Sequence, residues 1–201
     1  FVLGDAMLSD NDISISQADG GIYDALNKGI QHSTGDIIGF LHSDDVYENI
    51  DVISNVVDVF VKESCDIVYG DACFFKQANE AISIRHYRSA ELSRRNLAWG
   101  KMPAHTAMFI KRDVYQRCGL FNPSYKIAGD YEFLCRMLVQ LDVKAVYIKK
   151  ILVRMQLGGL STGGLRSTLQ LNREALRSCR DNGLKTNLFM ILSKYPSKII
   201  Q

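Results

Sequence analysis

Two adjacent carboxylates, Asp44 and Asp45, follow the apolar run Ile37-Ile38-Gly39-Phe40-Leu41, where a buried strand would emerge from a core. Hard divalent cations such as Mg²⁺ and Mn²⁺ take oxygen ligands of this kind and hold the phosphates of a substrate. An Asp at the start of the next element can equally cap a helix, so the pair alone leaves both roles open. A second acidic cluster, Asp130-Tyr131-Glu132, follows Gly129 and precedes the apolar stretch Phe133 to Leu141. A carboxylate fixed on a helix terminus can act as general base toward an attacking hydroxyl. The plain alternative for Asp130 is an N-cap or a first-turn acid favoured by the helix dipole. Between the clusters lies His105, in Met102-Pro103-Ala104-His105-Thr106. Its imidazole can donate a hydrogen bond to a ligand oxygen or serve as a structural group at a strand end.

Several further residues carry weaker signals. Asp19 precedes Gly20-Gly21 and fits an ordinary Asx turn. Asp24 and Lys28 stand four apart in the acid-first order that stabilises a helix surface. Trp99 and Tyr125 offer flat faces for a ligand or, as readily, anchors for a core. In Gly158-Gly159-Leu160-Ser161 the glycines permit a tight approach to a ligand, and Ser161 has a donor to offer a phosphate. No Gly-Lys-Ser/Thr ending follows, so this segment lacks the part that a P-loop needs. Arg154 and Gln156 can assist phosphate recognition or be edge-strand polar residues.

The elements that must position these groups alternate. Ile13 to Ser16 reads as a short strand, and Ile22, Ala25, Leu26, Gly29 and Ile30 take helical spacing after the Asp19-Gly20-Gly21 turn. Ile37 to Leu41 is a strand, Asp51 to Val61 a helix, and Asp66 to Tyr69 the next strand. This rhythm predicts an α/β domain with partly parallel pairing, whose acidic loop lies at the carboxyl ends of the strands. Ala72 to Lys76 and Ala81 to Tyr87 read as a strand pair, followed by a basic polar segment, Arg88 to Lys101. Ala104 to Ile110 is a strand, Asp113 to Cys118 a short helix, Gly129 to Leu141 a longer helix, and Val143 to Ile148 a strand. A basic helix starts near Ser167 and includes Asn172 to Cys179.

Composition narrows the class. With 201 residues, 47% of them hydrophobic and 23% charged, the chain can bury one substantial core. A formal charge of +2 does not suggest a dedicated nucleic-acid binder. The five cysteines are odd in number and form no CxxC pair, so they read as reduced interior residues. No signal-like segment and no apolar run of about 18 to 20 residues stands out, and a cytosolic compartment is the expectation.

Taken in order, Ser16-Gln17-Ala18-Asp19-Gly20-Gly21-Ile22-Tyr23-Asp24-Ala25-Leu26-Asn27-Lys28-Gly29-Ile30, then Thr34-Gly35-Asp36 and Phe40-Leu41-His42-Ser43-Asp44-Asp45, resemble an inverting nucleotide-sugar glycosyltransferase of family 2. That family has the A-type (GT-A) fold, a Rossmann-like mixed sheet, and includes polysaccharide and lipopolysaccharide transferases. The resemblance implies that Asp45 binds Mn²⁺ or Mg²⁺ against the donor diphosphate, with Asp44 near the ribose. It puts Asp19, and with it Asp24 and Lys28, on the donor side. It makes Asp130 the general base and gives Glu132 a role in positioning the helix or the acceptor. His105 and Ser161 would bind donor, and Trp99 and Tyr125 would meet the acceptor. The implied partners are a nucleotide-sugar donor and a glycan or lipid-linked acceptor.

The resemblance spans most of residues 12 to 162, while about fifty to sixty opening family positions, a βαβ portion that holds the nucleotide, have no counterpart. The expectation is a GT-A-like domain over residues 1–162, incomplete at its N-terminal side, with Ile37 to Leu41 short of sheet neighbours. A non-catalytic nucleotide- or glycan-binding protein of the same fold is the alternative. Residues 163–201 form a basic helical extension, with Arg166, Arg173, Arg177, Arg180, Lys185, Lys194 and Lys198 among apolar residues. This extension either packs on the domain or lies against the inner face of an anionic membrane.

Overall fold

A computed structural model describes residues 15–76, 79–156 and 164–195. The first helix, α1 (Ile22–His32), starts at Gly21, whose φ of 129° belongs to the region that favours glycine, and buries Tyr23, Asn27 and Ile30. These residues recur at helical spacing on one face. The strand β1 (Ile37–Gly39) follows, then the two-residue β2 (Val46–Tyr47) and the helix α2 (Val52–Glu63). Val52, Val56 and Phe60 form the buried stripe of α2, which ends at Ser64 in a left-handed conformation. The remaining elements are β3 (Ile67–Lys76), β4 (Asn79–Tyr87), α3 (Arg94–Ala98), a 3₁₀ turn (His105–Ala107), β5 (Met108–Lys111), α4 (Arg112–Cys118), α5 (Gly129–Gln140), β6 (Ala145–Gln156), α6 (Leu165–Asp181) and α7 (Leu188–Leu192).

One six-stranded mixed sheet carries the order β1-β5-β3-β6-β2, with β4 also paired to β3. The β3–β6 pair is parallel, and the other described pairs are antiparallel. Gly70 lets β3 lie close against β6: a Cβ there would lie 2.5 Å from the Leu152 side chain. The register slips on either side of Asp71, which leaves that side chain to be satisfied by neighbours other than the ladder. Side chains alternate between the two faces. Ile67, Tyr69, Met108 and Ile110 join a core with α1, α4, α5 and α6, while Val68, Ala72 and Phe109 join a smaller core under α2.

Several elements differ from expectation. The strand read over Ala72 to Lys76 is the continuation of β3, and β4 begins at Asn79, so no four-residue connection separates them. The strand read over Ala104 to Ile110 begins only at Met108, because His105 to Ala107 form a turn of 3₁₀ helix. β6 extends through Lys149 and Lys150 to Gln156, well past Ile148. The polar segment Arg88 to Lys101 contains α3, capped by Ser93. Ile13 and Ser14 lie outside the described residues, and Ile15 and Ser16 have no regular structure. β1 is an edge strand among the described residues. No described helix is long and apolar enough to cross a membrane.

α6 and α7 are built into the larger core. Asn172, Ala175, Ser178 and Cys179 of α6 and Ile191 of α7 are buried. Arg166, Arg173, Arg177 and Arg180 lie on the exposed side of α6, so this helix is amphipathic. All five cysteines are buried.

Candidate active site

β1 and β6 end, and β5 begins, around a cleft of about 520 Å³. Its wall includes Asp44 and Asp45 after β1, His105 and Thr106 before β5, Asp130 in the first turn of α5, and Gln156 at the end of β6. The residues singled out for chemistry at three separate places in the chain therefore line a single cavity.

Asp45 is half-buried, and its Oδ1 accepts the backbone N–H of Gln156 at 3.3 Å. Burial pushes its pKa up, against the Gln156 N–H and the nearby His42, while Asp44 adds to the rise. The Asp44 carboxylate accepts the Ser43 hydroxyl at 2.6 Å, which fixes the turn leading into Asp45. No described group of three or more His, Cys, Asp or Glu side chains gathers to hold a metal. A cation here would have one or two protein carboxylates and complete its shell with phosphate oxygens and water, an arrangement that suits Mg²⁺. A half-buried carboxylate whose charge is disfavoured, on the wall of an open cleft, fits such an ion.

Asp130 lies on the opposing helix. Its Oδ1 accepts the N–H of Tyr131 at 2.8 Å and the Tyr23 hydroxyl at 3.3 Å. The single proton of that hydroxyl is shared with the carbonyl of Ile127, the shorter branch at 2.7 Å. Burial first, and then the Asp130 charge, push the Tyr23 phenol well above its ordinary value, so it remains a donor. Gly129 makes this contact possible, because a Cβ there would come within 2.7 Å of the Tyr23 ring. The loop before α5 is tied from below by Glu174 of α6. That carboxylate accepts the N–H groups of Lys126, Ile127 and Ala128 at 3.1, 2.9 and 2.8 Å.

His105 is stacked on Phe40, with ring centroids 5.4 Å apart, and meets Phe121 edge-on at 5.8 Å. Burial lowers its pKa, opposed by Asp130, which leaves a neutral imidazole at pH 7. Its Nε2 and the Thr106 hydroxyl are buried atoms with no hydrogen-bond partner among the described residues. Orphaned polar atoms of this kind are costly and call for a ligand or solvent partner.

Other expected residues lie elsewhere. Asp19 accepts the Gly21 N–H at 2.9 Å, the Asx turn that its sequence suggests. Asp24 accepts the Gly20 N–H at 2.9 Å and pairs with Lys28 at 3.1 Å, and Lys28 donates to the Ala18 carbonyl. The Gly20 N–H and Lys28 hold the Asp24 carboxyl below its ordinary value. All three pin the loop before α1 rather than line the cleft. Glu132 is buried and forms a two-pronged pair with Arg136, at 2.9 and 3.2 Å, whose guanidinium also binds the carbonyls of Cys118 and Leu120 at the end of α4. Tyr125 is buried, donates to Asp181 and lies under Arg177. In this arrangement Glu132 takes the helix-positioning alternative and Tyr125 the core-anchor alternative. Trp99 is 37% exposed but is not among the cleft residues. Ser161 lies outside the described residues.

The cleft also contains residues that no motif announced. Tyr87 donates to the carbonyl of Met102 at 3.0 Å, and burial together with the Asp130 charge pushes its phenol up to about 12. Lys126 and Lys194 supply positive charge from segments without a recognisable pattern. The sequence signal that could have flagged Lys194 was only its place in a basic stretch.

Comparison with known proteins assigns the class. The chain belongs to the family described as Glycosyltransferase like family 2, which it matches over residues 4–176. A PGL/p-HBAD biosynthesis glycosyltransferase of Mycobacterium bovis is 28% identical over 145 residues, covering 71% of this chain and 54% of that protein. An uncharacterized glycosyltransferase of Mycobacterium tuberculosis is 29% identical over 150 residues, covering 73% and 55%. The chain thus spans about half the length of the relatives it matches. Among solved structures, S. aureus TarS 1-349 in complex with UDP-GlcNAc superposes with a TM-score of 0.57 at 11% identity, covering 82% of this chain and 48% of that chain. That likeness shows a common GT-A fold.

Proposed function

We propose that this chain transfers a glycosyl group from a nucleoside-diphosphate sugar to a hydroxyl of a glycan or lipid-linked acceptor, with inversion. The observation that carries this reading is the convergence of Asp44-Asp45 and Asp130 on one cleft in a family 2 glycosyltransferase fold. Asp130 takes the acceptor proton as its oxygen attacks the anomeric carbon from the face opposite the diphosphate. Tyr23 orients that carboxylate through the 3.3 Å contact with Oδ1. Asp45, seconded by Asp44, holds Mn²⁺ or Mg²⁺, which when bound stabilises charge on the departing diphosphate. His105 and Thr106 line the side of the cleft that would take the donor. Such transfer serves the assembly of polysaccharide or glycolipid on the cytosolic side of a membrane. The apolar residues Leu188, Phe189 and Leu192, exposed on α7, support contact with that surface.

Titration of the folded chain with a panel of nucleotide sugars, with and without Mn²⁺, tests the reading. Asp45→Ala should abolish the metal-dependent part of binding. Asp130→Asn should keep donor binding and lower turnover by about 10²- to 10⁴-fold. A folded chain with no metal-dependent donor binding would sink the proposal, and binding without turnover would favour the non-catalytic alternative.

A further inference from the structure

A second cavity of about 280 Å³ opens beside the cleft and shares Tyr87, Gly100, Met102 and Lys194 with it. Arg88, Lys101 and Lys194 line it against a single acid, Glu91. Arg88 and Lys101 make no ion pair among the described residues, and Lys194 is only 6% exposed.

The walls of this chamber are fixed in advance. Next to Arg88, the Ser89 N–H donates to the buried Asp71 at 2.8 Å, and its hydroxyl donates to the Gly70 carbonyl and accepts the Ala104 N–H. Asp71 is held in turn by Tyr147 at 2.7 Å and by His86 at 2.9 Å. On the other side, Gly100 takes a φ of 70°, and a Cβ there would lie 2.8 Å from the Ile191 carbonyl. That contact seats the end of α7 against the chamber.

We propose that this chamber is an acceptor subsite that binds a phosphate group carried by the acceptor. The inference rests on the glycosyl-transfer reading of the adjoining cleft. Arg88 and Lys101, with Lys194 at the back and one acid, Glu91, give the chamber a net positive lining that matches a phosphate better than a neutral sugar, and the guanidinium of Arg88 suits its paired oxygens. The phosphate belongs either to a soluble sugar phosphate or to the headgroup of a lipid-linked acceptor. In the lipid case Leu188 and Phe189, exposed on α7, offer apolar surface in the segment that leads to Lys194.

The test uses the whole chain in metal-free buffer, so that a cation in the Asp45 site does not recruit phosphate. Glucose 1-phosphate is titrated in one arm. In the other, vesicles of phosphatidylcholine with and without phosphatidic acid are sedimented with the protein. Wild type is compared with the double variant Arg88→Met/Lys101→Met, whose fold is checked by circular dichroism and thermal unfolding. Both residues are exposed, so the variant is expected to fold. Wild type should bind at least one probe, with affinity at least ten-fold weaker in the variant. Loss confined to glucose 1-phosphate assigns a soluble acceptor, and loss confined to phosphatidic acid vesicles a lipid-linked one. Binding of neither probe by wild type, or equal binding by both proteins, would overturn the proposal. Mn²⁺-dependent nucleotide-sugar binding by wild type is measured separately, so failure of the transfer reading is seen independently of the anion result.

Discussion

Glu174 sets the backbone from which Asp130 is presented, although it lies on another helix. Burial works against its charge, but the N–H groups of Ile127, Ala128 and Lys126 and the Gln170 amide outweigh it and hold the carboxyl below the ordinary range. A carboxylate whose folded pKa is depressed contributes stability above its unfolded value, about 4.3, and loses that contribution as pH falls through the folded value. Glu174→Gln removes the charge and leaves one acceptor oxygen where there were two. For a partly exposed group the expected cost is about 1 kcal/mol at pH 7. Urea midpoints of the two proteins should differ at pH 7 and converge in acid, as the wild-type carboxylate protonates. At this scale the sequence is readable where a motif carries the residue. Asp44-Asp45, His105 and Asp130 share a cleft as their flanking patterns suggest. Asp19, Asp24 and Lys28 are bonded instead around the loop before α1. Glu174 had no readable signal, since its partners are the backbone groups of a loop distant in sequence.

Between elements, the close approach of α1 and α5 decides the geometry. Tyr23 of α1 lies over Gly129 at the start of α5 and touches Asp130 one residue further on. Gly129→Ala places a methyl within 2.7 Å of the Tyr23 ring, so the helix end or the ring must move. Overpacking of this kind costs about 1 to 3 kcal/mol. A shift of about 1 Å at a catalytic group can lower turnover by about a hundred-fold. The variant should therefore lose more activity than stability, and adding Tyr23→Ala should show non-additive coupling in a double-mutant cycle of unfolding. Long periodic elements such as α2 and α5 were legible because their buried stripes repeat. α3 and the 3₁₀ turn were not, because five and three residues give no period, and β2 exists only through its pairing with Arg154 and Val153 of β6.

For the molecule as a whole, the two cores on the faces of one sheet divide the work. The smaller lies under α2, and the larger ties the sheet to α1, α4 and α5 and depends on α6 and α7 to close it. Removing residues 165–195 would uncover Leu97, Tyr131 and Cys135, which pack against this segment through the contacts of Cys179. A chain ending at residue 164 should lose its cooperative unfolding transition and expose apolar surface, which dye binding and calorimetry would detect. A retained sharp transition would show instead that α6 and α7 are dispensable for folding.

The dependence of the Asp130 loop on Glu174 also has a meaning in time. Proteins are made from the N-terminal end, and domains fold as their parts emerge. A ribosome that has released α5 has released both carboxylate clusters, yet the strut beneath the second one is still to be synthesised. The growing chain thus carries the candidate groups before Glu174 can support the loop that presents Asp130.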